Sequence, residues 1–150
     1  MKSTYLNSEL VKKWKNLKTR DGKNSFYFEE LRPAITGVLR NRVESGIRSG
    51  TLARYSRLII SLGHDANPSL ILCGALMPQN IIVLFTAKNR TQLEKRLLPN
   101  LQKQNPGSSV QLVELDYCNH DENYRSMLHE FKGFAGQGET ICDITGGKKI

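Results

Sequence analysis

The spacing of apolar residues changes near residue 58 and divides the chain into two parts. In the first part Leu6, Leu10, Trp14 and Leu17 recur at three- and four-residue intervals, with Lys12, Lys13, Lys15 and Lys18 between them. That is the pattern of an amphipathic helix. Asp21-Gly22-Lys23-Asn24 interrupts it. A second helical pattern runs through Leu31, Ile35, Val38, Leu39, Val43 and Ile47. Pro33 stands near its start, where a missing N–H is tolerated, and Gly50 is a suitable stop. Two amphipathic helices cannot bury their stripes on each other alone, so they are expected to dock on the second part or on another subunit.

The second part alternates between short apolar runs and helical patterns. Leu58-Ile59-Ile60-Ser61-Leu62, ending at Gly63, predicts a buried strand. Asn67 as cap and Pro68 as first residue predict a helix that stops before Pro78. Ile81-Ile82-Val83-Leu84-Phe85 predicts a second strand. Thr91-Gln92-Leu93-Glu94 reads as a capping box opening a helix with Leu93, Leu97 and Leu101 on one face, which Pro99 should kink or shorten. Residues 110–115 predict a third strand. Asp121 is expected to start a third helix with Tyr124, Leu128 and Phe131 on its inner side. Past the glycine-rich link at 133–138, Thr140-Ile141-Cys142-Asp143-Ile144 predicts a fourth strand.

Strand and helix in strict alternation predict an α/β fold: a Rossmann-like parallel sheet of about four strands with right-handed crossovers, preceded by a basic helical extension. Near-continuous apolar strands fit a sheet covered on both faces. We place the extension at 1–57 and the Rossmann-like domain at 58–150. A doubly wound sheet normally continues past such a fourth strand, so the domain is expected to be truncated at its C-terminus, as a fragment, a split protein or a chain completed by a partner.

Charge sharpens the division. Residues 1–57 hold 13 Lys and Arg against 5 Asp and Glu, whereas residues 58–150 hold 9 of each. The whole formal charge of +8 lies in the extension, and such asymmetry suggests two parts with different partners. Trp14, Tyr27 and Phe28, set among these lysines, could stack on single-stranded nucleic acid, or could face the core while the lysines are solvated. No apolar stretch approaches a bilayer span and no signal-peptide core is present, so a cytoplasmic protein without membrane contact is the expectation. Cys73, Cys118 and Cys142 make an odd count without paired spacing and are read as structural; no metal or cofactor is implied.

In parallel sheets ligands sit beyond the carboxyl ends of the strands. The polar segments expected there are Gly63-His64-Asp65-Ala66-Asn67-Pro68-Ser69, Thr86-Ala87-Lys88-Asn89-Arg90 and Thr145-Gly146-Gly147-Lys148-Lys149. Adjacent glycines let a ligand approach backbone N–H groups, which can form an anion-binding nest, and the lysines add charge for phosphate. The other reading is a tight turn with solvated lysines. Neither a P-loop nor a G-x-G-x-x-G fingerprint is present.

Asp143-Ile144-Thr145-Gly146-Gly147-Lys148-Lys149 resembles the Asn/Asp-x-Thr-Gly-Gly-Thr-Lys stretch of CARF domains, the CRISPR-associated Rossmann-fold sensors. Residues 58–63 with the loop and helix after them resemble the family's first strand and ligand loop, and residues 80–89 its second strand. The resemblance covers about residues 58–150. It implies a homodimer that binds cyclic oligoadenylate, the second messenger of type III CRISPR antiviral signalling, across its two-fold axis and regulates an effector. Some members cleave the ring, and most carry a nuclease effector that has no signature here. Carried over, the ligand-binding residues are Gly63, His64, Asp65, Asn67, Thr86, Thr145, Gly146, Gly147, Lys148 and Lys149. Lys148 departs from the family's threonine, and His64 with Asp65 departs from its small polar loop. His64, Lys148 and Lys149 are the candidates for ring cleavage, His64-Asp65 being either a base with its orienting carboxylate or an ordinary loop pair that caps the next helix. The alternative function is a basic nucleic-acid-binding or assembly module in residues 1–57, with the α/β part as scaffold.

Overall fold

The computed structural model describes residues 8–116, 118–132 and 139–143. Three helical stretches come first: α1 (Ser8–Asn16), α2 (Arg20–Phe26) and α3 (Arg32–Arg48), the last two joined by a π turn at Tyr27–Leu31. Then strands and helices alternate as β1 (Arg57–Ser61), α4 (Asn67–Leu76), β2 (Asn80–Phe85), α5 (Arg90–Gln92), a π turn at Leu93–Leu97, α6 (Leu98–Gln104), β3 (Ser109–Glu114), α7 (His120–Lys132) and β4 (Thr140–Asp143). The four strands form one all-parallel sheet in the order β3-β2-β1-β4. This is the α/β, Rossmann-like sheet with a helical N-terminal segment that the alternation predicts.

The core lies on one face of the sheet. Leu58 and Ile60 of β1 and Ile81, Val83 and Phe85 of β2 point to it, where Leu70 and Cys73 of α4 and Leu93, Leu97 and Leu101 pack on them. β1 and β2 are central and deeply buried. β3 is an edge, and Ser109, Gln111, Leu112 and Glu114 along it are exposed. On the opposite face Ile82 is fully buried but Ile59, Ser61 and Leu84 are half-buried, so cover on both faces is complete only at the centre of the sheet.

Several local expectations are corrected. Asp21-Gly22-Lys23-Asn24 is helical, because Thr19 caps α2 and its Oγ1 accepts from Gly22 N–H at 3.1 Å; the break comes earlier, between Asn16 and Arg20. Thr91 opens nothing. A 3-10 turn at Ala87–Asn89 already leads into α5. Pro99 neither ends nor shortens its helix. In both places where a proline sits inside a helical run, Pro33 and Pro99, a five-residue π turn ends two residues before it. The residue preceding each proline donates across the wider turn, Arg32 to Tyr27 O and Leu98 to Leu93 O. Widening the turn accommodates a ring that would otherwise press on the preceding carbonyls. At the first site the Phe28 carbonyl is taken up by Arg32 Nε at 3.2 Å.

The third crossover helix starts on Asn119, not Asp121. Asn119 Oδ1 accepts from Glu122 N–H at 3.2 Å while its amide donates to Glu122 Oε2 at 2.7 Å, a reciprocal cap. Tyr124 and Leu128, expected to face inward, are 62% and 40% exposed. Asn123, Ser126, Met127, Glu130 and Phe131 are the half-buried positions, so of the three residues expected inward Phe131 alone is covered. Asn123 bonds the backbone of Asp116 through both ends of its amide, and this anchor sets the rotation of α7.

The helical segment is fastened to the α/β part at Gly74. Thr36 of α3 and Gln104 of α6 meet there; a Cβ on Gly74 would press on Thr36 Cγ2 and stand 2.8 Å from Gln104 Nε2. Arg40 Nε donates to Gly74 O at 2.7 Å, Gln104 Nε2 donates to Leu70 O at 2.8 Å, and the buried Arg32 donates to Gln104 Oε1 at 3.2 Å. Burial lowers the Arg32 pKa from its ordinary value, but a guanidinium stays charged. Gly37, on the same α3, has no atom within 4 Å of its Cβ position.

These two glycines give opposite predictions. Gly37→Ala should stabilise the protein by about 0.5–1 kcal/mol through helix propensity. Gly74→Ala should destabilise it by about 1–3 kcal/mol through overpacking, both read from urea unfolding midpoints. Cys73 is fully buried and its thiol is pushed up to about 12, by burial first and by the Asp143 charge second, whereas Cys118 and Cys142 are exposed. Since the thiolate is the reactive form, a native-state thiol titration should count two reactive groups, with the third appearing only on unfolding.

Candidate functional site

The sheet order fixes where the crevice lies. The chain steps outward from β1 to β2 to β3, then returns to lay β4 against the other side of β1. The order reverses between β1 and β4, and a ligand crevice in such a sheet lies beyond the carboxyl ends of the strands at that point. Ile60 pairs with Asp143 there. The exit loop of β1, residues 62–66, therefore borders the crevice.

That loop is held from behind. Leu62 N–H donates to Leu84 O at 2.8 Å, carrying the β1–β2 ladder one residue past the strand. Leu62 O accepts from Asn89 Nδ2, also at 2.8 Å, in a buried bond. Asn89 is 7% exposed and was not among the sequence candidates, although its segment was. Nothing in an isolated Asn marks it as buried, and a polar segment after a strand reads as solvated.

Gly63 is half-buried, and His64 and Asp65 are exposed. Asp65 Oδ1 accepts from Asn67 N–H at 2.9 Å. The start of α4 is thus held by Asp65, with Ala66 in the cap position, and not by Asn67 as the sequence suggests. This bond also commits Asp65 to the helix end. No hydrogen bond among the described residues joins it to His64, so the geometry favours the helix-capping reading of this pair over a base with its orienting carboxylate.

Three buried side-chain oxygens at this end of the sheet lack a hydrogen-bond partner: Asn67 Oδ1, Thr86 Oγ1 and Asn89 Oδ1. A buried polar atom without a partner costs about 1–3 kcal/mol, and in native proteins such atoms usually mark bound water, an ion or a functional role. Asn67 and Thr86 are sequence candidates; Asn89 joins them. Its Nδ2 bond to Leu62 O orients the amide, leaving Oδ1 as an acceptor for a hydroxyl or amino donor.

The β2 side of this end is closed by Arg90, which pairs with Glu114 at 2.6 Å and lies 5.7 Å from the Phe85 ring centroid. Toward the N-terminal helices the surface opens instead. A cleft of about 500 Å³ separates α1 and α2 from the β1 exit loop, with His64, Asp65 and Asn67 on one wall and Trp14, Arg20 and Tyr27 opposite. The helices thus dock beside the candidate loop.

Thr145, Gly146, Gly147, Lys148 and Lys149 lie outside the described residues. Among the described residues no three His, Cys, Asp or Glu side chains are grouped to hold a metal, and no helix is long and apolar enough to cross a membrane. No protein-family model matches the chain, and neither does any curated protein.

Asn89 gives a direct test of this end of the sheet. Asn89→Ala leaves the Leu62 carbonyl buried without its donor, and should cost about 1–3 kcal/mol in urea unfolding. Hydrogen exchange should quicken at the Leu62 amide, where the ladder ends, and remain slow at Leu58.

Proposed function

We propose that this chain is a cyclic oligoadenylate-binding sensor domain of type III CRISPR antiviral signalling, working as a homodimer and regulating an effector. The observation that carries the reading is the pairing of β4 beside β1 at the point where strand order reverses, with Ile60 opposite Asp143. β4 ends at Asp143, beside the end of β1. Thr145, Gly146 and Gly147 would there offer N–H groups to phosphate, with Lys148 and Lys149 as counter-charge. Gly63, His64, Asp65, Asn67 and Thr86 would border the same crevice from β1 and β2. The unpartnered oxygens of Asn67 and Thr86 support this reading, since adenine amino groups and ribose hydroxyls are donors. A two-fold dimer would present each loop twice to a symmetric ring.

Binding is favoured over ring cleavage, because Asp65 is engaged by the Asn67 amide and does not orient His64. Calorimetry with cyclic tetra- and hexa-adenylate should show saturable binding at one ring per two chains. Gly147→Asp and Lys149→Glu should each weaken it by about tenfold or more, a cost of about 1.4 kcal/mol. Absence of binding to both rings refutes the proposal, and intact rings after prolonged incubation separate sensor from nuclease.

A second reading, that residues 1–57 form a basic nucleic-acid-binding or assembly module, is favoured by the gathering of Trp14 and Tyr27, whose ring centroids are 6.4 Å apart. It predicts binding of single-stranded RNA whose affinity falls steeply with salt.

A further inference from the structure

The cleft between the N-terminal helices and the β1 exit loop has a composition of its own. Trp14 and Tyr27 meet at a 58° tilt on one wall. The indole is held in orientation by its N–H, which donates to Lys23 O at 3.1 Å, so its ring is fixed before any ligand arrives. Phe28 lies behind, between two guanidinium groups at 4.6 and 4.7 Å from its centroid: the buried Arg32 and the exposed Arg96. Stacking on Phe28 positions Arg96 at the cleft. Arg20 also lines the cleft.

Neither Arg20 nor Arg96 enters an ion pair among the described residues. The acid among the lining residues is Asp65, which keeps its charge while accepting from Asn67 N–H. Two guanidiniums against one carboxylate leave the cleft net positive. Asn67 and Gln92 add amide groups, and Asn67 Oδ1 is buried without a partner. The volume of about 500 Å³ falls inside the roughly 300–1,000 Å³ range of small-molecule sites.

Each feature narrows the ligand class. Fixed aromatic rings want a flat π face. Two unpaired guanidiniums want an anion with several acceptor oxygens. Amides offer both donors and acceptors, which a nucleobase edge uses and a simple aromatic acid does not. We propose that this cleft binds a nucleotide unit, its base against Trp14 and Tyr27, its phosphate between Arg20 and Arg96, and its base edge toward Asn67 and Gln92. The unit is either a free nucleotide or one residue of a longer adenylate. The site does not rest on the sensor reading. It is walled by the N-terminal helices and needs none of Thr145, Gly146, Gly147, Lys148 or Lys149.

Trp14 is the single tryptophan of the chain, so its fluorescence reports on this cleft. Titration of the full-length protein with AMP, linear hexa-adenylate and cyclic tetra-adenylate should quench that emission saturably for at least one of them. The arm that quenches names the source: AMP for a free nucleotide, the linear or cyclic chain alone for a nucleotide within a polymer. Adenosine should bind about tenfold more weakly than AMP, because it lacks the anion. Arg20→Glu and Arg96→Gln should each cost about tenfold in affinity, with circular dichroism unchanged because both side chains are exposed. Lys149→Glu should leave cleft binding unaltered. Absence of saturable quenching by all three ligands at millimolar concentration overturns the proposal, as does binding indifferent to both arginine substitutions. Cyclic tetra-adenylate binding abolished by Lys149→Glu but untouched by Arg20→Glu and Arg96→Gln would sink the cleft and leave the sensor reading standing. The reverse pattern would do the opposite.

Discussion

A missing side chain at Gly74 lets three helices meet at a distance that any Cβ would prevent. Thr36 reaches the α4 backbone from α3, Gln104 reaches it from α6, and Arg40 takes the Gly74 carbonyl. Through this contact the segment carrying the whole formal charge of the chain is fixed to a neutral α/β part. Arg32, buried on the same side, bonds Gln104 and thereby ties the first part of the chain to the last turn of α6. A buried arginine without a carboxylate partner is costly unless its donors are used; here Phe28 O and Gln104 Oε1 use them. The placement of Trp14 and Tyr27 beside the β1 exit loop results from that docking.

The two π turns serve the same arrangement. Each inserts an extra residue into a helical run, and so rotates the later helix by about one residue relative to the earlier one. Before Pro33 this passes Phe28 and Leu31 to the core side while α3 presents Thr36 to Gly74. Before Pro99 it keeps Leu93, Leu97 and Leu101 on the buried face through a run that a proline would otherwise misalign. The prolines are thus compatible with continuous helices because the turns ahead of them are wide.

How far this was legible from sequence depends on the interaction that set each feature. The parallel βα alternation was readable because β1 and β2 are near-continuous apolar runs, the pattern of central strands in a parallel sheet. The end of α3 was readable because Gly50 adopts a φ of +77°, a conformation with little penalty only for glycine. Long-range bonds defeated local pattern elsewhere. The rotation of α7 is set by Asn123 bonding Asp116, so counting apolar residues picked Tyr124 and Leu128, one position out of phase. Asn89 looked like part of a solvated segment because its burial depends on Leu62, 27 residues earlier. The candidate loop residues His64, Asp65 and Asn67 were named from their place after a strand, and the structure gathers them on one wall. On the facing side Trp14 and Tyr27 had been named as a stacking surface, but their meeting with this loop was not legible, and Arg20 and Arg96, far from the loop in sequence, were not named at all.

Phe28 carries a thermodynamic consequence. Its ring sits between Arg32, which belongs to the fastening at Gln104, and Arg96, which faces the cleft. The order of the helical segment and the aim of a cleft cation are therefore linked equilibria sharing one side chain. Whatever engages Arg96 with its ring in place makes release of the N-terminal helices less favourable, and firmer docking raises affinity at the cleft by the same factor. The extension thus supplies a wall of the cleft directly and, through Phe28, also the stack that aims Arg96.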